Sequence, residues 1–338
     1  MAFAQNAVKA YSFSNEKLGE FEVDSFAIQT EWKGKEKQGS QFQWVHSYLG
    51  FNWKKEDDWL GHLSISSSDL RRRSVFLSPA EAEEAPLQEA YVQKSTEYFN
   101  LFMGRKEIPF FRFQKHLGWS FKTVLEDIGL WTQSDWGLGL YANHKAFETE
   151  FMIYNGEGGS DQDKRLWFSG EWKYENEYEF GVLISAQTGE TDVTSTANSK
   201  AASLYHFGFD PNVKSKIRMT NLMMFKKWNH SRLWWAITKG DILQNDGISE
   251  NKKSFQHSMV EAQVSSGEMA FYIRHENWQP NFDQKEFWEK RASLGLRWTS
   301  KDNLVSGYIG VTKIFEESDA VANDEGFLGI RVQSDWIK

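Results

Sequence analysis

The 338-residue sequence contains no cysteine, which excludes a disulfide framework and any thiolate metal site. Proline is scarce, at 5 residues. There is no linker, low-complexity tract or exact internal repeat, so one domain spanning 1–338 is the simplest organisation. No stretch approaches the roughly 20 consecutive apolar residues that a membrane helix needs. A membrane helix is therefore excluded, but a membrane is not. A barrel strand needs only about 10 residues and turns one face to lipid, so its polar face drags the average down. The mean hydropathy of -0.61 is compatible with that arrangement. A basic surplus is also missing. The formal net charge of -8 argues against general nucleic-acid binding and would suit a water-filled lumen that mildly prefers cations; ordinary solubility is the plainer explanation of the charge taken alone.

Catalytic signatures are missing too. The 8 His show neither His-Glu-x-x-His nor any metal-ligand spacing. No Gly-x-Ser-x-Gly elbow occurs. Asn155-Gly156-Glu157-Gly158-Gly159 lacks the lysine of a phosphate-binding loop and reads as a turn, as does the carboxylate run Glu56-Asp57-Asp58. The expectation is a protein that is not an enzyme and carries no cofactor.

Aromatics are abundant, with 26 Phe, 16 Trp and 11 Tyr, and the dominant pattern has period two. Leu328, Ile330, Val332, Ser334 and Trp336 alternate with Phe327, Gly329, Arg331, Gln333 and Asp335, so that one face is mostly apolar and the other holds charge and amide groups. Ala292, Leu294, Leu296 and Trp298 alternate with Arg291, Ser293, Gly295 and Arg297. Phe147, Thr149, Phe151 and Ile153 oppose Glu148 and Glu150. Such alternation separates two faces on a strand and scatters them on a helix.

A soluble β-sandwich alternates as well, and three features favour a membrane barrel. The alternating segments run about 10 residues, longer than usual soluble strands. Connections alternate between short ones, such as 144–145 and 265–266, and long ones, such as 33–40, 69–86, 107–133, 156–163, 243–254 and 314–325; outer-membrane barrels have short periplasmic turns and long outer loops. Trp and Tyr recur at segment ends, at Trp32, Trp53, Trp59, Trp172, Tyr174, Tyr178, Trp278, Trp298 and Trp336, where an interfacial belt would lie. Lipid cannot satisfy an open sheet edge, so the sheet must close. The expected fold is an all-β transmembrane antiparallel barrel. Nine strands read from Glu22 to Gln187 and six from Leu233 onward, and Ala201–Lys227 reads as two more. Both termini on one side require an even number, so about 16 strands are expected, with 16–18 as the range and Phe225–Gly240 partly in an outer loop.

The layout resembles that of the phosphate-selective porin family of bacterial outer membranes. Glu89-Ala90-Tyr91-Val92 precedes Phe102-Met103-Gly104-Arg105-Lys106-Glu107-Ile108-Pro109, which resembles the Gly-Arg/Gln-x-x-x-Pro element that leads into that family's long third loop. Phe151-Met152-Ile153-Tyr154-Asn155-Gly156-Glu157-Gly158 is similar to the following strand that ends in Asn-Gly. The resemblance implies a barrel of roughly 16 strands, often trimeric, in the outer membrane of a Gram-negative cell, with the third loop folded inward. The chain departs from that family in charge, because pore-facing positions mix Arg with Glu, so phosphate specificity is not carried over. It also departs at Trp336-Ile337-Lys338, where a final aromatic is usual.

The loop 107–133 is the candidate constriction. It sets Arg112, Lys115, His116, Lys122, Glu126 and Asp127 beside Phe110, Phe111, Phe113 and Trp119. Apolar residues would pack it on the wall, while opposed charges would set ion preference. The alternative is an outer loop with solvated charges. Pore-wall candidates are Glu89, Arg105, Glu148, Glu150, Arg165, Glu171, Lys173, Glu261, Arg274, Glu276, Arg291, Arg297 and Arg331, since Arg or Lys at the lipid midplane would cost about 2–4 kcal/mol. Arg71-Arg72-Arg73 could meet lipopolysaccharide phosphate, or simply pair with Glu81, Glu83 and Glu84. Segment 1–20 reads as an N-terminal piece after removal of a signal, because Ala2-Phe3-Ala4 has the small-x-small form of a cleavage site. The functional expectation is passive diffusion of ions and small polar solutes through a trimeric pore, with membrane lipid as surroundings and no nucleic-acid partner. A plugged barrel serving as enzyme or adhesin, or a secreted glycan-binding β-sandwich, stands as the alternative.

Overall fold

The computed structural model describes residues 12–15, 19–35, 39–44, 48–55, 58–66, 87–112, 123–125, 134–155, 166–191, 213–245, 250–280, 289–316 and 324–335. The sheet is built from β1 (Ser12–Asn15), β2 (Gly19–Lys35), β3 (Gly39–Trp44), β4 (Tyr48–Lys55), β5 (Trp59–Ser66), β6 (Leu87–Ser95), β7 (Asn100–Glu107), β8 (Ser134–His144) and β9 (Phe147–Tyr154). It continues through β10 (Trp167–Glu175), β11 (Phe180–Thr191), β12 (Ser215–Trp228), β13 (Ser231–Asn245), β14 (Glu250–Ser266), β15 (Met269–Gln279), β16 (Glu289–Thr299), β17 (Val305–Glu316) and β18 (Glu325–Asp335). All belong to one antiparallel sheet.

The sheet closes because β18 pairs with β2, Asp335 opposite Ser25 and Glu325 opposite Lys35. Below that ladder β1 takes over the same edge of β2, Ser12 opposite Glu22. The first and last strands are thus two halves of one barrel strand. In the same way β3 pairs the upper part of β2 and β4 the lower part. Merging these two pairs turns 18 segments into a closed barrel of 16 strands. Part of the expected N-terminal segment 1–20 is therefore already sheet.

Strand parity is resolved differently from the sequence expectation. Phe225–Gly240 is not loop but the heart of a hairpin, with Phe225 opposite Trp234 and Trp228 opposite Ser231. Within the described part of Ala201–Lys227 there is one strand, β12; residues 201–212 lie outside the described residues. Two connections expected to be long are short. The β2–β3 connection is 36–38, and β13 and β14 run on to leave only 246–249. Polar residues such as Lys252, Lys253 and Ser254 made the second stretch read as loop, yet the ladder continues beneath them. Hydrogen bonding of the backbone does not stop where the apolar belt stops.

The outer face carries the expected belt. Leu138, Phe151, Phe168, Ile184, Val260, Phe271, Leu294, Ile309 and Ile330 are all exposed. No other sheet covers them, so lipid is their natural contact. Trp53, Trp59, Trp172 and Trp298 fall on this outer set, but Trp278 does not: it is buried on the inner face, with its ring 5.5 Å from Phe255. Trp336 lies outside the described residues.

The inner face is not uniformly ionic. From β7 to β15 it carries Phe102, Met152, Tyr154, Trp167, Leu183, Met219, Met223, Trp234, Phe255 and Met259, all buried. Inner glycines make room for aromatic rings, both in this core and in the smaller cluster around Tyr272. A Cβ at Gly139 would lie 2.1 Å from the ring of Phe102, and one at Gly295 would lie 1.9 Å from that of Tyr272. The expectation of oily residues outside and ionic ones inside is corrected on this side of the barrel. A dry core forms there because the third loop, between β7 and β8, comes inward and covers the wall.

Candidate lumen constriction

The inward course of the third loop begins at Gly104, whose φ of +131° places it in a region that L side chains rarely adopt. It lies against Tyr91, with no room for a side chain of its own. Beyond Glu107 the chain turns sharply. Phe110 N–H donates to the Ile108 carbonyl at 2.7 Å, and Phe111 adopts a φ of 54°, an uncommon conformation for a bulky residue that marks a special site. Ile108, Phe110 and Phe111 then enter the apolar core with Trp167, Leu183 and Met219. Two wall hydroxyls fix the backbone: Ser169 Oγ donates to the Pro109 carbonyl at 2.9 Å, and Phe111 N–H donates to Ser185 Oγ at 3.5 Å. The loop thus leaves β7 and crosses the inside of β9, β10 and β11.

Arg112 ends this stretch. Its Nη1 donates to Glu150 Oε2 at 2.8 Å, its Nη2 to the Glu107 carbonyl at 2.9 Å and its Nε to the Ile108 carbonyl at 3.1 Å. Glu171 lies 3.8 Å from the same guanidinium. Burial alone would depress its pKa; the charges of Glu107, Glu150 and Glu171 reverse this, so the pKa is raised and the side chain stays charged at every ordinary pH. The other oxygen of Glu150 accepts from Lys106 Nζ at 2.7 Å. Lys106 also stands over the ring of Phe102, 4.0 Å from its centroid. Lower down, Lys173 pairs with Glu148 at 3.0 Å and with Glu175 at 3.3 Å. These groups, with Gln93, Asn100 and Tyr141, line a cavity of about 310 Å³ inside the barrel. Three cations, Lys106, Arg112 and Lys173, face three carboxylates, Glu148, Glu150 and Glu171.

A further part of the loop docks on the wall at β14 and β15. Val124 and Leu125 are fully buried in the core. Val124 N–H donates to Glu276 Oε1 at 3.1 Å, and the same oxygen lies 3.0 Å from His257 Nε2. Arg274 Nε donates to Glu261 Oε2 at 2.6 Å. The expected wall charges Glu261, Arg274 and Glu276 do face inward, but they are buried beneath the loop and do not line open water.

The remaining expected positions divide as follows. Glu89 accepts from Glu107 N–H at 2.9 Å and lies 3.5 Å from His62. Glu148, Glu150, Glu171 and Lys173 meet at the cavity. Arg291 pairs with Glu289 on its own strand, while Arg297 and Arg331 share the inner face with Arg232, whose charge reaches Arg297. Arg105 is corrected. It sits opposite the outward Trp136 in the ladder and is buried, its Nε donating to Ser134 Oγ at 3.3 Å, so it belongs to the loop's root and not to the lumen wall. Lys115, His116, Lys122, Glu126, Asp127 and Arg165, and also Arg71–Arg73, lie outside the described residues. The sequence reading missed Lys106, Ser169, Ser185 and His257. Lys106 could have been found by carrying the two-residue phase on from Phe102; the others make contacts across 60, 74 and 19 positions that no spacing announces. Among the described residues no group of three His, Asp or Glu side chains is placed to hold a metal ion.

No family model matches the chain, and no curated protein matches it by sequence. Solved structures match it in shape. OmpT of Vibrio cholerae, an outer membrane protein, superposes in its trimer form with a TM-score of 0.64 at 9% identity, covering 93% of this chain and 99% of that one. The outer membrane channel DcaP of Acinetobacter baumannii gives 0.64 at 8% identity over 95% of this chain and 99% of that one. A porin gives 0.56 at 10% identity over 92% of this chain and all of that one, 100%. The fold is that of outer-membrane barrels. Likeness at identities this low establishes the architecture alone; the apolar outer belt is what calls for lipid around it.

Proposed function

We propose that the chain is a single-domain outer-membrane porin of a Gram-negative cell, through which ions and small polar solutes diffuse passively. The observation that carries this reading is the loop held inside a closed barrel beside a charged, water-accessible cavity. The groups that line the cavity are charged and polar side chains, suited to the passage of hydrated ions and polar solutes. The near balance of three cations against three carboxylates supports weak selectivity. Glu107, which lies beside Arg112, tips the local charge toward the acidic side and supports a mild preference for cations. The loop 107–133 is the constriction in this reading, and Arg112 is its charged edge. The likeness in layout to phosphate-selective porins supports the channel role and not the phosphate preference. The trimer form of a structural neighbour supports a homotrimer, in lipid with lipopolysaccharide as the outer-leaflet partner.

The test is a planar-bilayer recording under a potassium chloride gradient, on protein shown to be folded by heat-modifiable migration. Stepwise conductance with a slightly cation-selective reversal potential is expected. Folded protein that inserts and never conducts would refute the channel.

A further inference from the structure

We propose that Glu276 is the positioning residue of the constriction loop: its carboxylate latches the Val124 amide to the barrel wall, and acid releases the latch. The proposal rests on the loop lying inside the lumen, as described above.

The apolar residues Phe110, Phe111, Val124 and Leu125 are enough to bring the loop to the wall. They do not fix its register, since dispersion contacts have no direction. At the far contact Val124 N–H donates to Glu276 Oε1, a directional tie between positions 152 apart in sequence. Both groups are buried, so the amide has no water to fall back on, and an unmade bond there costs its full desolvation. The acceptor is an ionised group, and such hydrogen bonds are about twice as strong as neutral ones.

The carboxylate is kept in place by its neighbours. His257 on β14 approaches the same oxygen at 3.0 Å, and its ring meets Phe111 edge-on at 6.1 Å between centroids. The loop is therefore touched on both of its described segments by one His–Glu pair. Arg274 on β15 comes within 4.0 Å of the other oxygen and is itself bonded to Glu261 on β14. Arg291 on β16 adds a further positive charge within range. Among the described residues these are the charged and titratable groups that face the latch. The hold is present while Glu276 is ionised. It weakens as the pH falls through the titration of that carboxyl, because the neutral acid is a poorer acceptor for Val124 and for His257.

Hydrogen exchange at 123–125, measured in detergent micelles, reads the latch without needing ion flow. In E276Q the protection of the Val124 amide is expected to fall by about tenfold to a hundredfold, the effect of losing a bond to a charged acceptor. Wild-type protein taken to acid pH is expected to approach the same value after correction for intrinsic exchange, while E276Q shows no such pH response. H257L keeps the carboxylate but removes one of its donors. It is expected to fall between wild type and E276Q, and it serves as the test if E276Q does not assemble. Unchanged protection in both variants, or a wild-type pH profile surviving in E276Q, overturns the proposal. A barrel that exchanges as expected but does not conduct would sink the channel reading and leave the latch standing.

Discussion

Replacing Arg112 by Gln removes one of the three cations at the lumen cavity and leaves Glu148, Glu150 and Glu171 against Lys106 and Lys173. Gln removes the charge next to Glu150 together with the guanidinium bonds to the Glu107 and Ile108 carbonyls, while Ile108, Phe110 and Phe111 stay in the apolar core. A unit charge about 6 Å from a permeating ion in water shifts that ion's energy by about 0.7 kcal/mol, or roughly threefold in local concentration. Cations gain by that factor and anions lose by it, so the potassium-to-chloride permeability ratio of R112Q should rise between about threefold and tenfold. The assay is the reversal potential across a bilayer held under a salt gradient. The shift should shrink when both sides are near molar salt, where the screening length is only about 3 Å. The double variant R112Q/E150Q restores the balance of charge and should return the ratio to near its wild-type value. Two results would refute the reasoning: folded R112Q with unchanged selectivity, or a double variant as cation-selective as the single one.

Other consequences are independent of ion flow. Gly139→Ala drives a methyl into the ring of Phe102 and the carbonyl of Phe151; overpacking of this kind costs about 1–3 kcal/mol, visible as a lower urea midpoint in micelles, and a midpoint equal to wild type would contradict the packing. Leu294→Arg puts a charge on the apolar outer belt, where Arg costs about 2–4 kcal/mol near the midplane; folding into vesicles should suffer, whereas Thr312→Arg, which faces inward, should be better tolerated. In the turn after β16, Asp302 accepts from the Ser300 hydroxyl and from Leu304 N–H at 3.1 Å. The Ser300 bond first, then the backbone bonds, hold its carboxyl below the ordinary aspartate value. The cap therefore persists as pH falls through the usual Asp range and is lost only below it, which an NMR titration of the Asp302 carboxyl carbon would follow.

Architecture was legible because a two-residue period survives even in a polar chain. Each alternation quoted for β9, β16 and β18 has the expected face outward, from Phe151 to Leu294 to Ile330. Parity forced an even strand number before any strand could be placed. Boundaries were less legible. Lys252 and Ser254 are polar because that part of the sheet carries polar outward residues, and polarity is what a sequence reading takes for loop. The same bias hid the inner core. Phe255, Met259 and Trp278 share a face with Glu261 and Arg274, and their period does not say whether an enclosed face is wet or dry.

Alternation, turn spacing and the absence of long apolar runs by themselves determined a closed antiparallel barrel with lipid outside. They also marked the loop 107–133 as long enough to narrow it. Only the tertiary structure decided where that loop goes and which charges it gathers. Arg112 meets Glu150 across 38 positions, and Val124 meets Glu276 across 152. Strand faces follow from neighbours in sequence, whose geometry is local. A loop's docking follows from surfaces that exist only once the barrel has closed around it.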